Sequence, residues 1–177
     1  DWGRSFRDSQ PVNEIIISRM WATLTLAGTA LAIAMVIGVF IGTIGAVRQH
    51  SLADCLATIG AMIALSIPTF WFGLMAIYVF SVRLGWLPSG GRQTLGAGFS
   101  ITDRLEHLIL PATVLGFVLI ATWSRYTRAA MLEVINQDYI RVARAKGLAE
   151  TRVIIGHGLR NALGPLVVLA GIQIPLL

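Results

Sequence analysis

Two long stretches without a charged residue constrain this chain more than any other feature. Trp21–Val47 and Cys55–Val82 contain no Asp, Glu, Lys or Arg. Each is longer than the roughly 20 residues that an α-helix needs to cross the hydrocarbon core of a bilayer. Hydrophobic residues make up 55% of the chain and charged residues 13%, against about 25% charged in soluble domains. The chain is therefore predicted to span a membrane.

Two further apolar segments extend this pattern. Leu108–Trp123 predicts a third span, whose helix continues past Tyr126 toward Asn136. Leu166–Leu177 begins a fourth that is too short to cross, and Asp1 is not a start methionine, so we expect a piece of a longer protein. The predicted fold is an all-α, polytopic transmembrane helical bundle with three full spans and one truncated span. Its expected order is an external segment at 1–20, a span at 21–47, a cytoplasmic turn at 48–54, a span at 55–82, an external loop at 83–107, a span at 108–126, a cytoplasmic loop at 127–164 and the start of the truncated span at 165–177.

The net charge of +5 is concentrated in one loop. Residues 124–160 contain seven Lys or Arg against three Asp or Glu, so this segment carries +4 of the +5. In a soluble protein such an excess would suggest nucleic acid as a partner, but its place between apolar segments argues against that interpretation. Loops rich in Lys and Arg stay on the cytoplasmic side of a membrane. Residues 124–160 are therefore expected to be cytoplasmic and 83–107 external.

The residue order within this loop predicts a short helix that ends at a sharp corner. Asp138 suits the N-cap position, because a carboxylate accepts hydrogen bonds from free backbone N–H groups. Arg144 and Lys146 lie near the negative end of the helix dipole, and Gly147 suits the left-handed residue that ends a helix. Such a segment either binds lipid headgroups through its cations or docks on another protein. Its short, capped form favours docking.

The same loop carries a long sequence motif. YIRVARAKGLAETRVIIGHGLRNALGP, with MLEVINQ before it, resembles the cytoplasmic loop of ABC importer permeases, and more narrowly of the dipeptide/oligopeptide/nickel group. Weaker matches cover nearly all of the chain, namely DWGRS at the start, IPTFWFG in the second span and HLILPATVLG at the third. The wider class has a Glu-Ala-Ala triplet six residues before a glycine. Here Arg141, Val142 and Ala143 occupy those places before Gly147, as in the peptide/nickel group, so no role is carried over for the missing glutamate.

This resemblance implies a function and a set of partners. The chain would be a permease subunit, not an enzyme, in a bacterial or archaeal plasma membrane. It would pair with a second permease subunit and receive peptides, nickel or another small solute from an extracytoplasmic substrate-binding protein. Two ABC ATPase subunits would bind ATP and Mg²⁺, whereas the permease itself would contact lipid and hold no cofactor. The element that docks on the ATPase would be a coupling helix and its corner, formed by Asp138, Tyr139, Ile140, Arg141, Ala143, Arg144, Ala145, Lys146 and Gly147.

The spans themselves contain few reactive groups. Pro68 is expected to kink the second span, and Ser66 and Thr69 beside it either line a polar pathway or satisfy carbonyl groups freed by the proline. Gly38 and Gly42 form a GxxxG pattern, which indicates close helix packing more often than pathway lining.

Several residue types and motifs that the sequence lacks argue against other classes of protein. No Asp or Glu lies within the predicted spans, which argues against carboxylate proton coupling and against aspartate-based membrane proteolysis. No GxxxxGK[ST] motif occurs, so the chain is not expected to bind ATP. The single Cys55 and the scattered histidines predict no metal site. The alternative function is an ATP-independent membrane carrier whose basic cytoplasmic loop binds lipid.

Overall fold

The computed structural model describes residues 2–7, 9–94, 96, 98 and 100–173. Within these ranges the chain forms six helices: α1 (Val12–Val47), α2 (Leu52–Ser66), α3 (Thr69–Arg83), α4 (Ile101–Ile135), α5 (Asp138–Ala145) and α6 (Glu150–Gln173). The second half of α3 and residues Val153–Leu159 of α6 have the wider hydrogen bonding of a π-helix. The β pairing in the described ranges is a single bridge between Arg4 and Pro11. The all-α prediction is confirmed.

Three helices, α1, α4 and α6, are long and apolar enough to cross a membrane. α1 and α4 have 36 and 35 residues, or about 50 Å each at ~1.5 Å per residue. α4 contains Pro111 without ending there and continues to Ile135, as the sequence predicted. α6 runs from Glu150 through Pro165. The last span was predicted to begin at residue 165, but no helix boundary lies there. Residues 174–177 of that expected span, and positions 95, 97 and 99 of the expected external loop, lie outside the described residues.

The second predicted span, 55–82, is not one helix. α2 and α3 are bent by 97° relative to each other and form either a broken span or a re-entrant loop. A proline disfavours the α conformation in the residue before it, and Ile67 is extended, with φ −82° and ψ 125°. The kink predicted at Pro68 is therefore confirmed, but it is a complete break. After the break, Phe72 of α3 stacks on Phe117 of α4 with ring centroids 4.5 Å apart.

α1 and α4 run parallel and touch along a row of glycines, which we call the α1–α4 contact. A Cβ atom built on Gly38 would lie 2.5 Å from the Cβ of Trp123. One built on Gly42 would lie 2.5 Å from the carbonyl oxygen of Ser124 and 2.7 Å from the Cβ of Thr127. Small residues of this kind let two helix backbones approach closely. The packing interpretation of the GxxxG pattern is confirmed.

α6 completes the core by packing on this pair of helices. Trp123 and Leu166 are buried together with Ala34 of α1. The indole N–H of Trp123 donates to Oε1 of Gln173 at 2.8 Å, so the polar end of the buried ring is satisfied. The three longest helices thus form one bundle, with α5 attached where α4 ends and α6 begins.

Candidate functional site

α5 is held against the rest of the chain by two side chains. Ile140 is 1% exposed and Ala143 is 7% exposed. They pack against Val153 of α6, and Val134 and Leu148 surround this cluster. An isolated helix of eight residues is marginal in water, so tertiary packing rather than intrinsic propensity holds α5 in place. Ile140 and Ala143 therefore face inward, although the sequence placed them in the docking element with the others.

The N-terminus of α5 differs from the prediction. Gln137 occupies the N-cap position, with an extended backbone at φ −75° and ψ 150° and no side-chain cap. Its carbonyl oxygen accepts from the N–H of Ile140 at 3.1 Å. Asp138 is instead the first helical residue, and its carboxylate lies 3.6 Å from the guanidinium of Arg141. The helix begins one residue earlier than a cap at Asp138 requires, yet a carboxylate in the first turn still complements the helix dipole.

The C-terminus of α5 ends as the sequence predicted. Gly147 has φ +75°, in the left-handed region. Its N–H donates to the carbonyl of Arg144 at 2.9 Å, and the N–H of Leu148 donates to the carbonyl of Ala143 at 3.5 Å. These bonds resemble those of a Schellman motif, which satisfies the last carbonyls of a helix and turns the chain sharply. We call residues 146–150 the α5–α6 corner.

An ion pair spans this corner. Nη2 of Arg144 lies 2.7 Å from Oε1 of Glu150, and Nε lies 3.1 Å from Oε2, so the pair is bidentate. The hydrogen bonds that the Arg144 guanidinium donates to the carboxylate of Glu150 raise the pKa of Arg144 above its ordinary value. Both side chains remain exposed to about half their surface, at 40% and 55%. Arg144 therefore has a partner within its own chain that was not predicted from the sequence.

The outward face of α5 mixes apolar and basic groups. Tyr139 is 44% exposed and Val142 is 52% exposed, and these positions are one helical turn apart. Arg141, Ala145 and Lys146 are also exposed around them. Apolar groups with a basic surround suit contact with a protein surface of complementary charge. Val142 was absent from the predicted docking residues, although its position three residues after Tyr139 indicates a shared face.

A second ion pair, missed from the sequence, lies near the start of α2. The carboxylate of Asp54 is bidentate with Arg128 of α4, at 2.5 Å to Nε and 2.8 Å to Nη2. It also accepts from the backbone N–H of His50 at 3.0 Å. Asp54 is 5% exposed. This pair ties the turn between α1 and α2 to α4. A lone Asp at the edge of an apolar run is costly unless it is paired. The position of Asp54 in the sequence was therefore a reason to expect a basic partner.

The candidate pathway residues lie at the α2–α3 break. Ser66 and Thr69 flank Pro68 there, and Pro68 and Thr69 are exposed on this chain. The hydroxyl of Ser66 donates to the carbonyl of Met62 in its own helix at 2.8 Å. In an unbroken helix the backbone N–H of residue 68 would donate to the carbonyl of Ala64, which Pro68 leaves free. The hydroxyl of Ser66 bonds to the carbonyl of Met62 instead, so it does not satisfy the carbonyl that the proline frees. Among the described residues no group of three His, Cys, Asp or Glu side chains could hold a metal ion.

Comparison with known proteins places the chain in a family. Residues 34–177 match the family described as binding-protein-dependent transport system inner membrane component. The chain belongs to this family. It is similar to the oligopeptide transport system permease protein AppB of Bacillus subtilis (strain 168), with 49% identity over 176 residues, 99% of this chain and 56% of the relative. It is also similar to the glutathione transport system permease protein GsiC of Escherichia coli (strain K12), with 42% identity over 173 residues, 98% of this chain and 53% of the relative.

The chain thus spans about half the length of the curated relatives it matches. The resemblance to permeases of the peptide importer group is confirmed, and so is the prediction of a multi-pass membrane protein. The position of each membrane boundary and the roles of the docking residues stay predictions.

Proposed function

We propose that this chain is part of the membrane-spanning permease subunit of an ATP-driven ABC importer. Membership of the inner membrane component family supports this function. The names of the relatives, which refer to oligopeptides and glutathione, favour a peptide as the cargo over nickel. A second permease subunit, two ATPase subunits carrying ATP and Mg²⁺, an external binding protein and surrounding lipid complete the proposed assembly.

Within this proposal, α5 is the coupling helix that docks on an ATPase subunit. The observation that carries this role is the division of α5 into two faces. Ile140 and Ala143 fasten it to α6, while Tyr139 and Val142 remain exposed. An element fastened in this way moves together with a membrane-spanning helix when a partner pushes on its outer face.

The α5–α6 corner supports the same role. Gly147 ends α5 without strain, because glycine adopts the left-handed region freely. The bidentate pair of Arg144 and Glu150 then restrains the angle between the two helices. A flexible loop would absorb a displacement of α5, whereas a capped and braced corner passes it on to α6.

The lipid-binding alternative fits α5 less well. An interfacial helix buries an apolar face in the bilayer and keeps its charges in water. The two most buried apolar residues of α5, Ile140 and Ala143, are already covered by protein. Tyr139 and Val142 leave only a small apolar area for lipid, with Arg141 and Lys146 beside them.

Photo-crosslinking tests the proposed docking directly. p-Benzoylphenylalanine is placed at Val142 in the full-length permease, which is assembled with its partner subunits in lipid vesicles. Arg48, exposed in the turn between α1 and α2, carries the probe in a matched control on the same side of the membrane. We expect a covalent adduct between position 142 and the ATPase, and little or none from position 48.

Two results would contradict the proposal. Adducts from position 142 to lipid alone would support the carrier with a lipid-bound loop. Peptide uptake by the assembled vesicles that proceeds at the same rate without ATP would contradict the ABC mechanism itself.

A further inference from the structure

A cavity of about 560 Å³ lies between the loop before α4, the first turns of α4 and the N-terminal half of α1. Its lining combines polar and apolar side chains, among them those of Arg92, Gln93, Arg104, His107, Leu26 and Leu108. Sites for small molecules have volumes of about 300–1,000 Å³ and a few polar groups on mostly apolar walls. The volume and lining of this cavity therefore suit a small molecule with one polar end.

The cavity lies at the end of the bundle opposite α5. Leu26 lines it, whereas Gly45 on the same helix packs beside Asp54 and Arg128. Residues 26 and 45 are about 28 Å apart along a helix at ~1.5 Å per residue, close to the roughly 30 Å of a hydrocarbon core. With residues 124–160 on the cytoplasmic side, the cavity lies at the external surface.

The lining carries positive charge and contains no carboxylate among its described residues. Arg92 forms no ion pair or side-chain hydrogen bond within the part of the chain that the structure describes. Nη2 of Arg104 donates to Oε1 of Gln93 at 3.3 Å. The neighbouring carboxylate of Asp103 accepts from the N–H and the hydroxyl of Thr94, at 2.9 and 2.5 Å. Asp103 is not among the lining residues, although its Oδ1 lies 3.6 Å from Nδ1 of His107, which lines the cavity.

We propose that this cavity binds the oxyanion of a small amphiphilic molecule, a carboxylate or a phosphate, at Arg92 and Arg104. Guanidinium groups bind both oxyanions through paired N–H···O bonds. Leu26 and Leu108 contact the apolar remainder of the molecule. Two sources supply this chemistry at an external membrane surface: the terminal carboxylate of a peptide and the phosphate of a lipid headgroup. The peptide source rests on the proposed transport function, and the lipid source does not.

Arginine protection tests this site. The full-length permease in phosphatidylcholine nanodiscs is treated with phenylglyoxal, which modifies accessible arginines, and each site is read by peptide mass spectrometry. The probes are N-acetyl-dialanine, its C-terminal amide, and a change of the nanodisc lipid to phosphatidylglycerol. Arg83 is the internal reference, because its guanidinium lies 5.5 Å from the Tyr78 ring, outside the cavity lining.

We expect one of two patterns. N-acetyl-dialanine slows the modification of Arg92 about tenfold at about ten times its Kd, since the free fraction is 1/(1 + [L]/Kd), and the amide has no effect. That result assigns the peptide carboxylate. Alternatively, phosphatidylglycerol alone protects Arg92 to a similar extent, which assigns the lipid headgroup. In either case the reactivity of Arg83 is unchanged, and Arg92→Gln lowers the protection of Arg104.

Equal reactivity of Arg92 under all these conditions would overturn the proposal, as would equal protection of Arg92 and Arg83. The measurement requires no transport. A permease that shows protection but no ATP-driven uptake would therefore contradict the proposed function while leaving the oxyanion site supported.

Discussion

The α1–α4 contact and the α5–α6 corner use the same residue types, glycine and an arginine–carboxylate pair, under different conditions. At the first, Gly42 lets two backbones touch, and at its end the buried Asp54 binds Arg128. At the corner, a Cβ atom added to Gly147 would have nothing within 4 Å, but the residue adopts φ +75°, and Arg144 binds an exposed Glu150. Because it is buried, the α1–α4 contact is expected to contribute more to the stability of the fold. The α5–α6 corner mainly fixes the direction in which the chain continues from α5 into α6.

The largest effect is expected from Gly42→Ala. The added Cβ would meet the carbonyl oxygen of Ser124 at 2.5 Å, and a backbone atom cannot rotate away. Overpacking of this kind costs about 3 kcal/mol, the upper part of its usual range. The free energy of unfolding of the full-length permease, measured by SDS titration in mixed micelles, reports the loss. Gly28→Ala in the same helix is the matched control, because its Cβ has nothing within 4 Å. Equal losses in both variants would contradict the close contact.

Arg128→Gln is expected to have the next largest effect, because it leaves the carboxylate of Asp54 buried without its cation. Removing one partner of a fully buried pair costs roughly 3–5 kcal/mol. Arg128 keeps 30% of its side chain exposed, so we expect a smaller loss of about 2 kcal/mol. The same SDS titration measures it. The double variant Asp54→Asn with Arg128→Gln should recover part of the loss, and strictly additive losses would show that the two side chains are not coupled.

Gly147→Ala tests the corner through its backbone alone. An alanine in the left-handed region costs roughly 1 kcal/mol, which corresponds to about fivefold more frequent opening of the structure it ends. Amide hydrogen exchange over residues 138–145 should therefore accelerate, while exchange in α1 stays unchanged. Gly164→Ala within α6, where the Cβ has open space and φ is not positive, is the control. Unchanged exchange in α5 would mean that Gly147 does not limit the stability of this helix.

The features that the sequence predicted depend on a few neighbouring residues. The helix over the uncharged run 21–47, the glycine that ends α5 and the kink at Pro68 all follow from local chemistry. The structure contains each of them, although the predicted kink is a complete break between α2 and α3. The cap at Asp138 was wrong because the helix starts directly after Gln137, and a one-residue choice of this kind depends on how α5 packs against α6. The pair of Asp54 and Arg128 joins residues 74 positions apart, so no local spacing indicates it.

Arg144 was predicted to contact an ATPase, and the structure gives it Glu150 as a partner. These two roles are not exclusive, but they predict different results for a charge swap. Arg144→Glu alone places two carboxylates at the corner, and we expect uptake to fall while ATP hydrolysis continues. Adding Glu150→Arg restores the pair in reverse.

If Arg144 acts as a brace, the double variant should recover most of the uptake that Arg144→Glu loses. If its charge instead meets an acidic surface on the ATPase, the swap leaves that contact reversed and uptake stays low. The unfolding midpoint should hardly change in any of these variants, because solvent screens an exposed ion pair. A large drop in that midpoint would show that the corner also stabilises the fold, as the α1–α4 contact does. The two regions would then differ only in how much each contributes to stability.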